Sequence, residues 1–197
     1  MGKLSGKTAL ITGASKGIGE GIARTFVKNG AAVALCARGQ EVEELAAQLR
    51  AEGARAIAVR MDVSDMDSVR AGYDQAVREL GQVDILVSNA GICRLGDFLT
   101  QSDADRDAHL DINVKGAWNT CKAVLPGMVE RKWGRIVIMS SVTGDMVADP
   151  GEAAYAMSKA ALVGLTKALA REFAPHVNVN AICPGYVLTP MVRGMAD

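Results

Sequence analysis

Large rings are scarce in this chain: three Phe, three Tyr and two Trp among 197 residues. A core without them must be built from Ala, Val, Ile and Leu, which suits helices lying close on a sheet. No charge of one sign dominates either, since 22 basic residues face 22 acidic ones. With no block of like charge, the electrostatic footprint of a nucleic-acid binder or of a protein held to an anionic membrane is missing. No apolar segment is long enough to span a bilayer, and the opening "MGKLSGK" has no apolar signal core. The four cysteines, Cys36, Cys93, Cys121 and Cys183, are far apart and show no CxxC or Cys/His spacing, which argues against bound metal and a disulfide framework. Each lies in or beside an apolar stretch, so free thiols in a reducing compartment, the cytoplasm, are expected.

What is present is a repeated alternation. Short apolar runs, "TALIT", "AAVALCA", "RAIAVRMD", "VDILVSNAG", "GRIVIMSS" and "VNVNAIC", read as strands. Between them lie longer amphipathic stretches such as "GIGEGIARTFVKNG" and "EVEELAAQLRAEG". Ser102 is placed to cap a long helix that the Pro126-Gly127 pair should interrupt. Continuously apolar strands alternating with helices predict an α/β fold: a doubly wound parallel sheet (Rossmann) of six strands in order 3-2-1-4-5-6. The length suits a single domain over residues 1–197 that buries roughly 70% of its unfolded surface without a metal or disulfide staple.

"TGASKGIG" follows the first apolar run, with Gly13, Gly17 and Gly19 in one turn. Bare backbone at a strand-to-helix junction lets a pyrophosphate approach the free amides of the helix start. Such a turn is a weak signal alone, and the βαβ context strengthens it. Its spacing is GxxxGxG, and downstream come "SNAG" (88–91), Y-x-x-x-K (155–159) and "PG" (184–185). With these motifs in this order the chain resembles the short-chain dehydrogenase/reductase family over essentially its whole length. The passages "LDINVKG" and "IMSSVTGDMVADPGEAAYAMSKAALVGLTK" look like one bacterial group of such oxidoreductases.

The resemblance implies a nicotinamide dinucleotide held by Gly13, Ser15, Lys16, Gly17, Ile18 and Gly19 at the glycine turn. Asp62 with Val63 matches the adenine contact, and Asn89, Ala90 and Gly91 the turn under the adenosine ribose. Asn89 as a plain turn residue is the competing reading. Ser88 stands where the family usually has Asn, a departure expected to alter one supporting hydrogen bond. Pro184, Gly185, Val187 and Thr189 match the loop at the nicotinamide carboxamide. Where members that use NAD carry an acid after the second strand, this chain has Ala37 and then Arg38. Arg38 and Lys16 offer two cations to a 2′-phosphate, each charge-assisted contact being worth roughly 1.5–3 kcal/mol. NADP(H) is the expected cofactor, with NAD(H) possible.

Tyr155 and Lys159 are four apart on one helix face. An ammonium beside a phenol, both partly desolvated, is expected to lower the phenol's pKa towards neutrality. By resemblance Tyr155 passes the proton, Ser141 polarises the substrate oxygen, Lys159 also binds the nicotinamide ribose and Asn113 supports a water relay beside Lys159. Ser141 is chosen over Ser140 for its place before "VTG", and adjacent strand residues cannot both reach one site. His109 and His176 match no catalytic position and are expected to be structural. Asp145, Asp149 and Glu152 lie between Ser141 and Tyr155, and a solvated loop is the favoured reading over a polar-substrate contact. Members of the family usually continue further, so the resemblance implies a chain truncated at its C-terminus, lacking a seventh strand and half the substrate wall. It also implies a homo-oligomer, dimer or tetramer, paired through the helices at 103–131 and 152–174. The expected reaction is hydride transfer between NADP(H) and a small alcohol/carbonyl substrate. The alternative is a cofactor-binding sensor or scaffold subunit without turnover.

Overall fold

The computed structural model describes residues 2–193. Six strands, β1 Thr8–Thr12, β2 Ala32–Ala37, β3 Ala56–Arg60, β4 Ile85–Ser88, β5 Gly134–Met139 and β6 Val177–Ile182, form one sheet in the order β3-β2-β1-β4-β5-β6. Every pairing is parallel, as the strand-helix alternation predicts. After β3 the chain crosses back over β1 to lay down β4. A crevice therefore opens at the carboxyl ends of β1 and β4, where the strand order reverses.

Alternate strand residues feed two cores. Leu10, Ala34, Val59, Leu86 and Ile136 face helices α3 (Met66–Leu80), α5 (Gly116–Glu130) and α7 (Ala153–Phe173), through Val69, Val124, Met128 and Leu162. Ala9, Ile11, Val33, Leu35 and Val87 face α1 (Gly17–Lys28) and α2 (Glu41–Ala51), through Ala23, Val42, Leu45 and Leu49. A strand buried on both faces has no polar alternation, which is why β1 is apolar from end to end apart from its threonines. Between β4 and β5 run α4 (Asp103–His109), capped by Ser102 as expected, and a π-helical turn, Leu110–Lys115. Short helices α6 (Val142–Asp145) and α8 (Pro190–Arg193) follow β5 and β6.

The expected interruption at Pro126-Gly127 does not occur. α5 runs through Pro126 to Glu130, and the irregularity sits earlier, in the π-helical turn. Proline removes one amide donor, but Val124, Leu125 and Met128 are buried on both sides of it. Their packing holds the helix together against that loss.

Candidate active site

The glycine turn has three different physical demands. Gly13 and Gly17 have φ of +63° and +61°, a region that side chains other than glycine's rarely enter. A Cβ on Gly13 would lie 2.8 Å from the Ala90 Cα, and one on Gly19 would strike the Gly13 carbonyl oxygen. Gly19 is needed for contact, not for dihedral freedom. Thr12, fully buried at the end of β1, accepts hydrogen bonds from the amides of Asn89 and Ala90, both at 3.0 Å. The Asn89 side chain donates in return to the Thr12 and Gly13 carbonyls at 3.0 and 3.2 Å. The ends of β1 and β4 are thus laced into one floor. Lys16 at the N-cap of α1 makes no side-chain cap, so the first amides of the helix are presented to the crevice.

The crevice has a volume of about 370 Å³ and runs from Arg38 and Asp62, past Gly13 and Gly17, to Tyr155 and Lys159. Of the residues the sequence singles out, Ser15, Lys16, Ile18, Val63, Asn89, Ala90, Gly91, Pro184 and Thr189 also line it. Gly19 lies beneath the floor. Val187 is exposed on the loop after β6, while Asn113 and Ser141 are buried and are not among the residues that line the crevice. At the far end Arg38 and Lys16 are exposed, and the Arg38 guanidinium is 3.9 Å from an Asp62 oxygen. Hydrogen bonding from the Ser64 hydroxyl, with a smaller contribution from Arg38, holds the Asp62 carboxyl below its usual range. Glu41 also reaches this rim, its carboxylate folded beside Gly39.

At the near end Lys159 is buried and donates to the Met139 carbonyl at 2.8 Å. Burial pushes its ammonium down to about 8. Its Nζ lies 5.6 Å from the centre of the Tyr155 ring. The expected depression of the phenol is not found. Tyr155 is held above its usual value because burial disfavours phenolate, while hydrogen bonding with Ser141 acts the other way. Lys159 is engaged with a backbone carbonyl and is itself desolvated, so its charge does not dominate the phenol.

The adjacent serines take different partners, and it is Ser140 that lines the crevice. Ser140 Oγ donates to the Lys159 carbonyl at 2.8 Å, fastening β5 to α7. Ser141 Oγ accepts from the Thr143 amide at 3.1 Å, which leaves its proton to donate. Asn113 sits in the π-helical turn, a distortion common at functional sites. Its Oδ1 accepts from the Ile92 amide at 2.8 Å, and its Nδ2 donates to the Ile92 carbonyl and Ser158 Oγ at 3.0 and 2.9 Å. A Cβ on Gly91 would stand 3.2 Å from Asn113 Oδ1 and 3.5 Å from Lys159 Nζ, so only glycine fits comfortably between them.

Sequence reasoning missed Thr12 and the partners of several other residues that build this end. Thr12 carries a signal only in hindsight, as the hydroxyl just before the glycine turn. Ser88 takes Thr120 as its hydrogen-bond partner at 3.2 Å, a replacement that no local pattern reveals. His109, fully buried, accepts from the Arg94 amide through Nε2 at 3.1 Å and donates from Nδ1 to the Asp105 carbonyl at 2.7 Å. It meets the Tyr155 ring edge-on at 6.3 Å and so positions the phenol. Glu152 is buried, unlike exposed Asp145 and Asp149, which corrects the reading of all three as a solvated loop.

A strand-floored dinucleotide cleft ending on a Tyr-Lys pair defines an oxidoreductase of the Rossmann type. Residues 7–197 match the short chain dehydrogenase family, and the chain belongs to that family, whose members bind nicotinamide cofactors. It is 62% identical to oxidoreductase UcpA of Salmonella typhimurium over 197 residues, all of this chain and 75% of that protein. A short-chain type dehydrogenase/reductase from Mycobacterium marinum superposes with a TM-score of 0.94 at 40% identity, covering 98% of this chain and 78% of that one. A gluconate 5-dehydrogenase from Burkholderia cenocepacia, in complex with NADP and tartrate, gives 0.93 at 35% identity, covering 98% and 76%.

The residues present fit such a cofactor. Gly13 and Gly17 leave bare backbone on the crevice where a pyrophosphate would approach, uncapped helix amides lie at the same turn, and the crevice continues to the phenol.

Proposed function

We propose that the protein catalyses NADP(H)-dependent oxidoreduction of an alcohol/carbonyl pair, with Tyr155 as general acid/base. The observation that carries this reading is the pairing of half-buried Tyr155 with buried Lys159 at the end of the glycine-floored crevice. The bound dinucleotide supplies or accepts the hydride. Tyr155, neutral at ordinary pH, donates its proton to a carbonyl oxygen in reduction and takes it back in oxidation. Ser141 donates to the same oxygen, and the commitment of Ser140 to Lys159 supports this choice of serine. Lys159 holds the nicotinamide ribose and passes the proton onward. Asn113, with its carboxamide occupied, positions the Gly91–Ile92 turn beside Lys159 and supports the relay there. The nicotinamide carboxamide falls to Pro184, Gly185, Val187 and Thr189.

The preference for NADP(H) over NAD(H) rests on Lys16 and Arg38, which give the open end of the crevice two cations. The NADP bound by the Burkholderia relative is consistent with it. Asp62 and Val63 take the adenine, and Asn89, Ala90 and Gly91 the adenosine ribose. We read residues 1–197 as one such domain, acting in the cytoplasm as a homo-oligomer. Exposed Trp118 on α5 and Met157 on α7 support pairing through those helices.

NADPH and NADH titration followed by fluorescence, then a carbonyl panel, tests the reading. Arg38→Asp should weaken NADPH by about tenfold or more while sparing NADH, as loss of a charge-assisted contact requires. Tyr155→Phe should lower turnover by about 100-fold or more with NADPH still bound. Equal turnover by Tyr155→Phe would refute the proton assignment, and cofactor binding without any turnover would favour a sensor or scaffold role.

A further inference from the structure

The far end of the crevice carries opposed charges. Lys16 and Arg38 line it with two cations, and Asp62 and Glu41 line it with two carboxylates. Asp62 is already engaged: Ser64 donates to it through its amide and its hydroxyl at 2.9 and 2.7 Å, and the Arg38 guanidinium lies 3.9 Å away. Glu41 is exposed, and no hydrogen bond or ion pair reaches its carboxylate among the described residues. Glu43, two positions on, is by contrast bound to Arg60 at 2.9 Å.

Glu41 opens α2, four residues beyond the end of β2, and the turn between them brings it back to the rim. While holding Glu43, the Arg60 guanidinium also donates to the Arg38 carbonyl at 2.8 Å, which braces the turn between β3 and α2. The Glu43 amide donates to the Gln40 carbonyl at 2.9 Å and closes it. On that braced turn the Glu41 carboxyl group lies over Gly39. Of the atoms that a Cβ at position 39 would meet, the three nearest all belong to it. Gly39 does not have a positive φ, so no dihedral demand calls for glycine there. The missing side chain instead makes the seat that the carboxylate occupies, one residue from Arg38. Any acid in a first turn is favoured by its own helix dipole. Glu43 and Glu44 meet that preference too, yet neither lines the crevice.

We propose that Glu41 is a cofactor-selecting residue: its carboxylate accepts from the adenosine ribose hydroxyls of NAD(H) and repels the 2′-phosphate of NADP(H), so that it offsets Lys16 and Arg38 and keeps both cofactors in use. This rests on those two cations receiving the 2′-phosphate. A phosphate brings up to about two negative charges to the rim, where a fixed carboxylate opposes it. A hydroxyl meets no such repulsion and gains an acceptor.

Equilibrium binding of NADPH and NADH to the protein without substrate, followed by cofactor fluorescence, tests the proposal. Glu41→Gln should tighten NADPH about fivefold and weaken NADH about threefold, the scale of one exposed charge and one exposed hydrogen bond. The gain for NADPH should shrink as salt is raised. Gly39→Ala keeps the charge but evicts it from its seat, so it should move both affinities the same way by less. Glu44→Gln removes an equal charge from the same helical turn away from the crevice, and should leave both unchanged. Affinities unmoved in Glu41→Gln, or an equal change in Glu44→Gln, would overturn the proposal. Arg38→Asp keeps the two readings apart. If it weakens NADPH while Glu41→Gln changes nothing, the cation reading stands and selection by Glu41 falls. If only Glu41→Gln acts, the assignment of Arg38 falls and the repulsion by Glu41 stands. If neither variant alters NADPH binding, both fall.

Discussion

The two halves of the sheet are built to different standards. In the β1–β3 half, both faces are covered and β2 is buried along nearly its whole length. In the β4–β6 half, β6 alternates buried Val177 and Val179 with exposed Asn178 and Asn180, and Ile182 is 48% exposed. Polar alternation in a parallel strand marks a face with no layer of helices on it. The first half holds the glycine turn and the Arg38–Asp62 end of the crevice. The second carries Ser141, Tyr155 and Lys159, where a buried ammonium is tolerated. On the proposed function, one half is organised for stability and the other for reactivity.

The largest effect that tests this division comes from Lys159. Lys159→Met should lower turnover by about 100-fold or more, because the proposed ribose contact and proton path would both be lost. Its second signature is in stability. Burial takes the folded-state pKa from 10.5 down to about 8. Between those values the unfolded chain holds a proton that the native protein has released, so wild-type stability rises with pH through that window. Below about 8 both states are protonated and the contribution is constant. The wild type should therefore gain about 3 kcal/mol relative to Lys159→Met between pH 8 and 10.5. Urea unfolding of both proteins across the range isolates the difference, since Tyr155 and the thiols titrate in each. A flat difference would mean that the reacting half carries no such buried charge.

A smaller contrast compares the halves directly. Leu35 on β2 is fully buried and Ile182 on β6 is half exposed. Leu35→Ala should cost about 2–5 kcal/mol, a transfer loss plus a cavity. Ile182→Ala should cost about 1 kcal/mol or less, since the lost side chain was already largely in water. Similar losses on chemical denaturation would show that the open face of β6 is covered in solution.

What the residues disclosed in advance follows the same division. The strand order, both cores and the glycine turn are local or periodic properties, and each was legible from apolar runs and from Gly13, Gly17 and Gly19. The motif residues of the reacting end were also visible. Their environment was not, because it depends on contacts between distant segments. The phenol of Tyr155 is raised, not lowered, because burial disfavours the phenolate, while the ammonium of Lys159 is engaged with the Met139 carbonyl. Glu152 looked like a loop acid and is buried by segments that converge only on folding. His109 matched no motif, yet it supports both the Arg94 backbone and the Tyr155 ring. The continuity of α5 through Pro126 was missed for the same reason, since burial on both sides of a proline leaves no local trace.

The finest test lies within one helix of the stable half. Gly19 and Gly21 are both in α1, two residues apart. A Cβ on Gly19 meets the Gly13 carbonyl and the Asn89 side chain, whereas one on Gly21 meets nothing within 4 Å. Gly19→Ala must push the helix away from the floor, so it should cost about 1–3 kcal/mol as overpacking. It should also weaken cofactor binding, because the displaced groups are those that lace β1 to β4. Gly21→Ala only removes backbone freedom from the unfolded chain at an open helical position, and should stabilise by about 0.5–1 kcal/mol. Thermal unfolding with and without NADPH separates the two: Gly21→Ala should raise both midpoints together, while Gly19→Ala should lower the free midpoint and shrink the shift on adding cofactor. An equal response at the two positions would mean that the floor is not tightly packed and that the spacing of the glycines reflects chain flexibility alone.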